Sequence, residues 1–410
     1  MTARRDASKM PAGSLPIKMP LFSIYVTSLL ASMVQGLVLL LIPLYVLDSG
    51  SASWLGAGAL MSLKNAGTLL VNIPAGLALV RFGDKLMMAA GLLLMLLACA
   101  GFALLHGFLA LTLCMLLFGI GAGIWTLARL SFMSVNNAPE QRGRTLALLA
   151  GVQRTGMFIG PLGGGMLVQA YGFQTTFLLA AGLVVGGLLL ILPEGNVTLD
   201  RAGGNRSRGV LRHLLPTLSQ HRSFFLSAGA FVTALRLVRS GRQLLLPLWG
   251  YAIDLEIAQI GVAFALSALA DVMVMYLGGA IADLHGRKWS AGLCLGILSL
   301  SLLSLPWCDN YSAFLLLALF AGVGNGLGGG IIMTLGADMA PPRHRGIFLG
   351  VWRLLGDVSG TVSPVTIGWI AGLSTLGTAS TIAGALGVLG LVAMKVQMRE
   401  TLPASRAPDS

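Results

Sequence analysis

The sequence contains few charged residues, and acids are the scarcer kind. Only 10% of its 410 residues are Asp, Glu, Lys or Arg, whereas soluble globular domains carry roughly 25%. This scarcity excludes a soluble chain of this size, because too little polar surface is present to face water. Hydrophobic residues make up 56%, and they occur in continuous runs of about twenty, enough for an α-helix to cross ~30 Å of hydrocarbon. The composition therefore predicts a membrane protein.

Signatures of enzymes, nucleotide sites and metal sites are missing as well. The sequence has no Gly-x4-Gly-Lys-Ser/Thr loop and no Gly-x-Ser-x-Gly, and "GVGNGLGGG" lies inside an apolar span rather than between a strand and a helix. The five histidines form no metal-binding repeat, and the four cysteines have no paired spacing. We therefore predict a protein that is not an enzyme and has no cofactor and no metal.

Lys and Arg lie mainly on one side of the predicted spans. We predict twelve spans, at 20–47, 53–80, 86–105, 108–133, 145–170, 176–192, 223–249, 258–281, 290–307, 312–336, 347–370 and 378–394. Most of the 27 bases fall in the two tails, the middle segment and one set of loops, and the opposite loops carry only acids. Cytoplasmic loops carry the Lys and Arg excess. Both termini are therefore predicted to be cytoplasmic, in the plasma or inner membrane, without a removed signal peptide or a nucleic-acid partner.

The chain repeats itself across a polar middle segment. "GIGAG" at 119–123 is matched by "GVGNG" at 322–326, and "PEQRG" ending at Gly143 is matched by "PRHRG" ending at Gly346. We predict an N-terminal six-helix half at 1–192, a cytoplasmic linker at 193–222 and a C-terminal six-helix half at 223–410. Parallel six-span repeats are related by an axis along the membrane normal.

Two turns in equivalent positions carry a recognisable motif. Gly76 to Lys85 reads "GLALVRFGDK", and Gly279 to Lys288 reads "GAIADLHGRK". The second copy resembles the cytoplasmic signature of the major facilitator superfamily, an all-α membrane fold, whereas Val80 replaces the expected Asp in the first. The resemblance implies close helix contact at the glycines and a latch formed by the acid and the bases. The implied gating residues are Gly76, Gly83, Gly279, Asp283, Gly286, Arg287 and Lys288.

The fifth span contains the glycine-rich stretch "RTGMFIGPLGGG". Its residues Gly156, Gly160, Pro161 and Gly164 resemble the signature of proton-driven drug exporters within that superfamily. Glycines at this spacing share one helix face, so a second helix can pack closely against it. The proline removes a main-chain hydrogen bond and bends the helix. Simple close packing without a transport role is the alternative interpretation.

Three arginines stand inside the seventh predicted span. Arg236, Arg239 and Arg242 follow one slowly drifting helix face. A charge at the bilayer centre costs roughly 2.5–3.5 kcal/mol on insertion scales, so such residues usually face a cavity. We interpret the three as substrate-binding residues, together with Gln35 in the first span. In the alternative, Arg239 and Arg242 reach the outer interface and Arg236 pairs structurally with Asp271.

Only two acids lie near the middle of the predicted spans. Asp271 and Asp357 are therefore the candidates for proton coupling, with Lys64 as a plausible partner of Asp357 and Arg353 as a second one. A conformational change that separates such a pair would favour proton uptake by the acid. Fixed structural pairs are the alternative.

These observations favour a secondary active transporter over other membrane proteins. The leading hypothesis is proton-coupled export of small amphipathic molecules by a monomer embedded in the bilayer. The excess of bases over acids in the spans favours a second hypothesis, an importer or facilitator of organic anions. A membrane sensor that retains the fold without transport is the third.

Overall fold

The described part of the chain is almost entirely helical. The computed structural model describes residues 19–50, 52–135, 139–193, 222–340 and 345–397. Those residues form twelve α-helices and one short 3-10 turn, and no strand occurs among them. Residues 194–221 of the predicted linker, and most of both predicted basic tails, lie outside the described residues.

The helices are numbered in chain order. Their bounds are α1 Met19–Asp48, α2 Trp54–Phe82, α3 Asp84–Leu104, α4 Phe108–Val135, α5 Pro139–Ile191, α6 Arg222–Ala252, α7 Ile257–Leu284, α8 Arg287–Ser304, α9 Tyr311–Leu327, α10 Ile331–Met339, α11 Arg345–Leu373 and α12 Leu376–Gln397. The 3-10 turn, Leu305–Trp307, extends α8.

The predicted spans match these helices except at one place. The fifth and sixth spans correspond to the two parts of α5, which are separated at Gly172, where φ of 79° and ψ of 170° are not helical. The tenth span, predicted as unbroken over 312–336, is instead interrupted between α9 and α10, where Gly330 has φ 83°. Three successive glycines, Gly328 to Gly330, cause the break because they lower helix propensity and permit the left-handed conformation.

Length and composition support membrane crossing. Nine helices within the described residues are long and apolar enough, and one of them, Arg144–Ile191, contains two predicted spans. The remaining two long helices, α6 and α11, have 31 and 29 residues and carry the charged positions discussed below.

The two predicted halves contact each other closely at the end predicted to be extracellular. Helix α2 packs on α11, where Gly58 lies against the main chain of Pro364 and Gly368. Helix α5 packs on α7, where a methyl group on Gly165 would come within 2.8 Å of the Ile257 carbonyl oxygen. Glycines allow this approach because they have no side chain.

At the opposite end, the predicted close contacts of the signature glycines are absent. A methyl group added to Gly76 or Gly279 would meet nothing within 4 Å. Ile73 and Tyr276, on the same ends of α2 and α7, are 78% and 79% exposed. The sequence-based expectation is wrong for this conformation, because the two halves diverge here and leave these glycines without a partner helix.

The acid and base of the second signature copy do form a charged cluster. Arg287 lies 2.6 Å from an Asp283 carboxylate oxygen and 3.4 Å from one of Asp338. Lys288 does not join this cluster with Asp283; its Nζ donates to the Lys395 carbonyl oxygen on α12, at 3.0 Å. The preceding turn begins at Gly286, whose φ of 107° requires a glycine, and Gly83 has the same role in the first copy with φ 81°.

The glycines of the exporter-like motif pack on α1. Gly156 lies against Leu29 and Ser32, Gly160 against Met33, and Gly164 against Leu37. The Pro161 ring meets α1 at Gly36. The four motif residues therefore join the first and fifth predicted spans along one continuous seam.

We expect Gly160→Val to reduce transport at least tenfold, because the added side chain would overlap the Met33 carbonyl oxygen and force α1 from α5. Gly163 is the matched control on the same helix, since a methyl group there meets nothing within 4 Å. Transport normalised to protein in the membrane would be measured for both valine variants. Equal activities would contradict the importance of this seam.

A basic cavity between the halves

A cavity of about 350 Å³ lies between the two predicted halves. Residues of α1, α2 and α4 line one side, and those of α6, α9 and α11 line the other. The polar lining consists of Gln35, Lys64, Asn65, Thr68, Asn72, Thr126, Arg236, Arg239, Ser240, Arg242, Gln243, Asn325, Arg353, Asp357 and Thr361.

The cavity is strongly basic. Five Lys and Arg residues line it, and Asp357 is its only acid among the described residues. Gln35 and the three arginines of α6, which were predicted to bind substrate, all line this cavity, and so does Lys64, which was predicted as a partner of Asp357. The remaining amides and hydroxyls could have been recognised as polar residues within apolar spans, but their convergence depends on the tertiary packing.

Arg236 is the arginine of α6 most available to a ligand. Its guanidinium lies 3.9 Å from an Asp357 carboxylate oxygen, and its side chain is 40% exposed. Asp357 also lies 3.5 Å from Arg353, one turn earlier on α11. This arrangement differs from the predicted pairing of Asp357 with Lys64, whose ammonium has no hydrogen bond or ion pair within the described residues.

Arg239 and Arg242 have main-chain and hydroxyl partners instead. Arg239 Nη2 donates to the Asn325 carbonyl at 3.2 Å and the Gly328 carbonyl at 3.0 Å. It therefore satisfies the open C-terminal end of α9, where the helix is broken. Arg242 Nη1 donates to Ser267 Oγ at 2.9 Å. Neither side chain reaches the outer interface, because the break in the tenth span and α7 offer acceptors inside the bundle.

Asp271 lies beside the basic cavity, in an adjoining space of about 140 Å³. Its two carboxylate oxygens accept from Arg154 Nη1 at 3.2 Å and from Asn325 Nδ2 at 2.7 Å. The proposed alternative pair with Arg236 is not formed, since Arg236 is held by Asp357. Because Arg154 belongs to α5, this ion pair joins the two predicted halves.

A proline in α11 creates a further link between the halves. Pro364 has no N–H, so the carbonyl four residues earlier, at Gly360, lacks its usual helical donor. Asn65 Nδ2 of α2 donates to that oxygen at 2.9 Å, and Ser240 Oγ of α6 does so at 2.8 Å. The cavity wall therefore includes a main-chain oxygen shared by both halves.

Comparison of the sequence with known proteins identifies related transporters. The profile of the Major Facilitator Superfamily matches residues 24–253 and 234–409. A synaptic vesicular amine transporter from Rattus norvegicus is 26% identical over 305 residues, which cover 72% of this chain. The chain spans 57% of that relative's length. The multidrug resistance protein MdtH from Shigella dysenteriae serotype 1 (strain Sd197) is 28% identical over 302 residues, covering 71% of each chain.

Solved transporter structures share the fold. A D-xylose-proton symporter superimposes with a TM-score of 0.74 at 14% identity, covering 94% of this chain and 98% of that one. A peptide transporter POT in complex with sulfate gives a TM-score of 0.72 at 15% identity, covering 91% and 94%. Because the family profile matches most of the chain, the chain belongs to the Major Facilitator Superfamily.

Proposed function

We propose that this protein is a proton-coupled secondary transporter that exports small amphipathic molecules bearing an acidic group. It would act as a monomer in the plasma or inner membrane, with both termini cytoplasmic. Two six-helix halves, at 1–192 and 223–410, would rock about the basic cavity, joined by the linker at 193–222. The position of the cavity between helices of both halves supports alternating access, because such movement exposes a central site to each side in turn.

The charge of the cavity carries the proposal about substrate. Five bases face one acid, so a cationic ligand would be repelled, whereas a carboxylate, phosphate or sulfonate would be attracted. Arginine suits such groups because its planar fork binds two oxygens at once. This argument separates the chain from the amine transporters to which it is similar, despite their resemblance in sequence.

Import or facilitated passage of organic anions is the second candidate. The same cavity supports it, since the charge argument is independent of direction. Export is favoured by the seam between α1 and α5, whose glycine pattern resembles that of proton-driven exporters, and by the similarity to a multidrug resistance protein.

The test compares probes that differ only in their charged group. Purified protein in proteoliposomes would be given 4-phenylbutyrate or 4-phenylbutylamine under an imposed pH gradient, and movement in both directions would be measured. We expect the carboxylate to move and the amine to remain. Transport of the amine alone would overturn the anion proposal, and carboxylate movement unaffected by the gradient would contradict proton coupling.

Lys64→Gln provides a matched variant for the same assay. Removing the Lys64 ammonium, which has no partner among the described residues, should raise the KM for the carboxylate by about 10-fold, in line with the loss of one hydrogen bond to a charged group. Arg144→Gln is the control, since Arg144 is an exposed base on α5 that does not line the cavity. If Arg144→Gln impaired transport as much as Lys64→Gln, Lys64 would not be part of the substrate site.

A further inference from the structure

A further cavity lies on the surface of the C-terminal half, and none of its lining residues lines the basic cavity. It is a groove of about 380 Å³ between the start of α8 and the end of α12. Lys288 and Lys395 stand at its rim, and Trp289, Leu293, Leu391 and Met394 form its apolar walls. We call it the α8/α12 groove.

A glycine on α8 creates the space in this groove. A methyl group on Gly292 would lie 3.5 Å from Met394 Cε and 3.7 Å from Leu391 Cδ1, so the bare glycine leaves a shallow apolar channel. Trp289 is 64% exposed beside it. The channel therefore combines an apolar floor, an exposed indole and two ammonium groups.

The first half has the same lysine-to-carbonyl hydrogen bond but lacks the residues that form the groove. Lys85 Nζ donates to the Leu192 carbonyl at 2.7 Å, and Lys288 Nζ donates to the Lys395 carbonyl at 3.0 Å, each pair 107 residues apart. At the three equivalent positions, the first half has Leu86, Ala89 and Leu192 where the second has Trp289, Gly292 and Lys395. The indole, the open channel and the second positive charge thus distinguish one repeat from the other.

We propose that the α8/α12 groove binds an anionic phospholipid. Its phosphate would lie between Lys288 and Lys395, and an acyl chain would run over Gly292 along Leu391. Basic pockets between helices at the cytoplasmic side attract anionic head groups, and Trp is favoured at the depth where head groups meet hydrocarbon. The groove lies at the membrane end where Lys and Arg gather, and lipid is the solvent that surrounds this surface.

Quenching of Trp289 fluorescence tests the proposal directly. Full-length protein in detergent micelles would be titrated with phosphatidylglycerol or phosphatidylcholine, each brominated on its acyl chains. The Trp289 signal is the part of the quenching that disappears in Trp289→Phe. We expect this part to saturate at about 10-fold lower concentration with phosphatidylglycerol, since each lysine near a head group contributes to anionic lipid attraction. Equal titrations by the two lipids would overturn the proposal.

Charge variants separate a lipid site from general attraction to the micelle. The double variant Lys288→Gln/Lys395→Gln should lose the preference for phosphatidylglycerol, and Lys288→Arg/Lys395→Arg should retain it. Lys85→Gln is the matched control in the other repeat and should leave it unchanged. If the preference for phosphatidylglycerol survives in the double glutamine variant, or disappears in Lys85→Gln, the proposed lipid site is wrong.

Inorganic phosphate distinguishes a lipid site from a site for free phosphate. At millimolar concentration it should not relieve the quenching; full relief would indicate a bare phosphate site instead.

Discussion

Asp271→Asn is expected to abolish the acceleration of transport by a pH gradient, a loss on the order of 10-fold or more if coupling has its usual size. Asp271 lies at the junction of the halves, where it accepts from Arg154 of α5. Protonation would remove its charge and weaken this charge-assisted bond, so α5 and α7 could part at their contact. Arg242 of α6 also lines the small space that contains Asp271.

Asp357→Asn is the matched comparison, because its ion pairs with Arg236 and Arg353 lie within one half. Rocking of one half against the other need not separate them, so we expect this variant to retain more of the gradient effect. Substrate exchange at equal pH is the control for folding. Normal coupling in both variants would refute the proton pathway, and loss of exchange together with coupling would identify the acids as structural.

Arg236→Ala is expected to raise the KM for an anionic substrate about 10–100-fold, in line with the loss of one or two hydrogen bonds to a charged group. Arg236 has the exposure that ligand binding needs, and Asp357 would keep Arg353 as a partner after the change. The measurement is uptake against concentration in proteoliposomes, with kcat obtained separately. An unchanged KM would remove Arg236 from the substrate site.

Two further variants distinguish the kind of contact that Arg236 makes. Arg236→Lys keeps the charge and removes the planar fork, so full activity there with loss in Arg236→Ala would show that charge alone suffices. Arg239→Lys should behave differently, because Arg239 bonds two carbonyls at the end of α9. We expect a lower thermal stability there, with less effect on the KM of any protein that remains folded.

The helical membrane architecture could be predicted from the sequence because a single physical requirement produces it. Each span must hide its main-chain groups from lipid, so runs of apolar residues mark the helices reliably. The same requirement makes buried charges costly, which is why Arg236 and Asp357 could be recognised as cavity residues. Close helix packing at Gly160 could be predicted from the glycine spacing. The identity of the partner helix, α1, could not.

The pairing of the buried charges was harder to predict from the sequence, because it depends on how each helix is rotated about its own axis. A shift of one residue turns a helical side chain by about 100°, enough to exchange Lys64 for Arg236 as the neighbour of Asp357. The role of Arg239 was hidden for another reason. Its partner is the end of a helix that the sequence presents as a continuous apolar span, and only the conformation at Gly330 reveals the break.

The Gly360 carbonyl has a consequence for how readily the halves can move. A main-chain oxygen that loses its donor where water cannot replace it costs about 1–3 kcal/mol, and such a cost would add to the kinetic barrier of every transport cycle. Here the oxygen has donors from opposite halves, Asn65 and Ser240. In the proposed rocking movement α2 would withdraw, and Ser240, which lies in the same predicted half as α11, would still satisfy the oxygen. The second donor would thus keep the barrier low, so the turnover rate depends on a hydroxyl that need not touch the substrate.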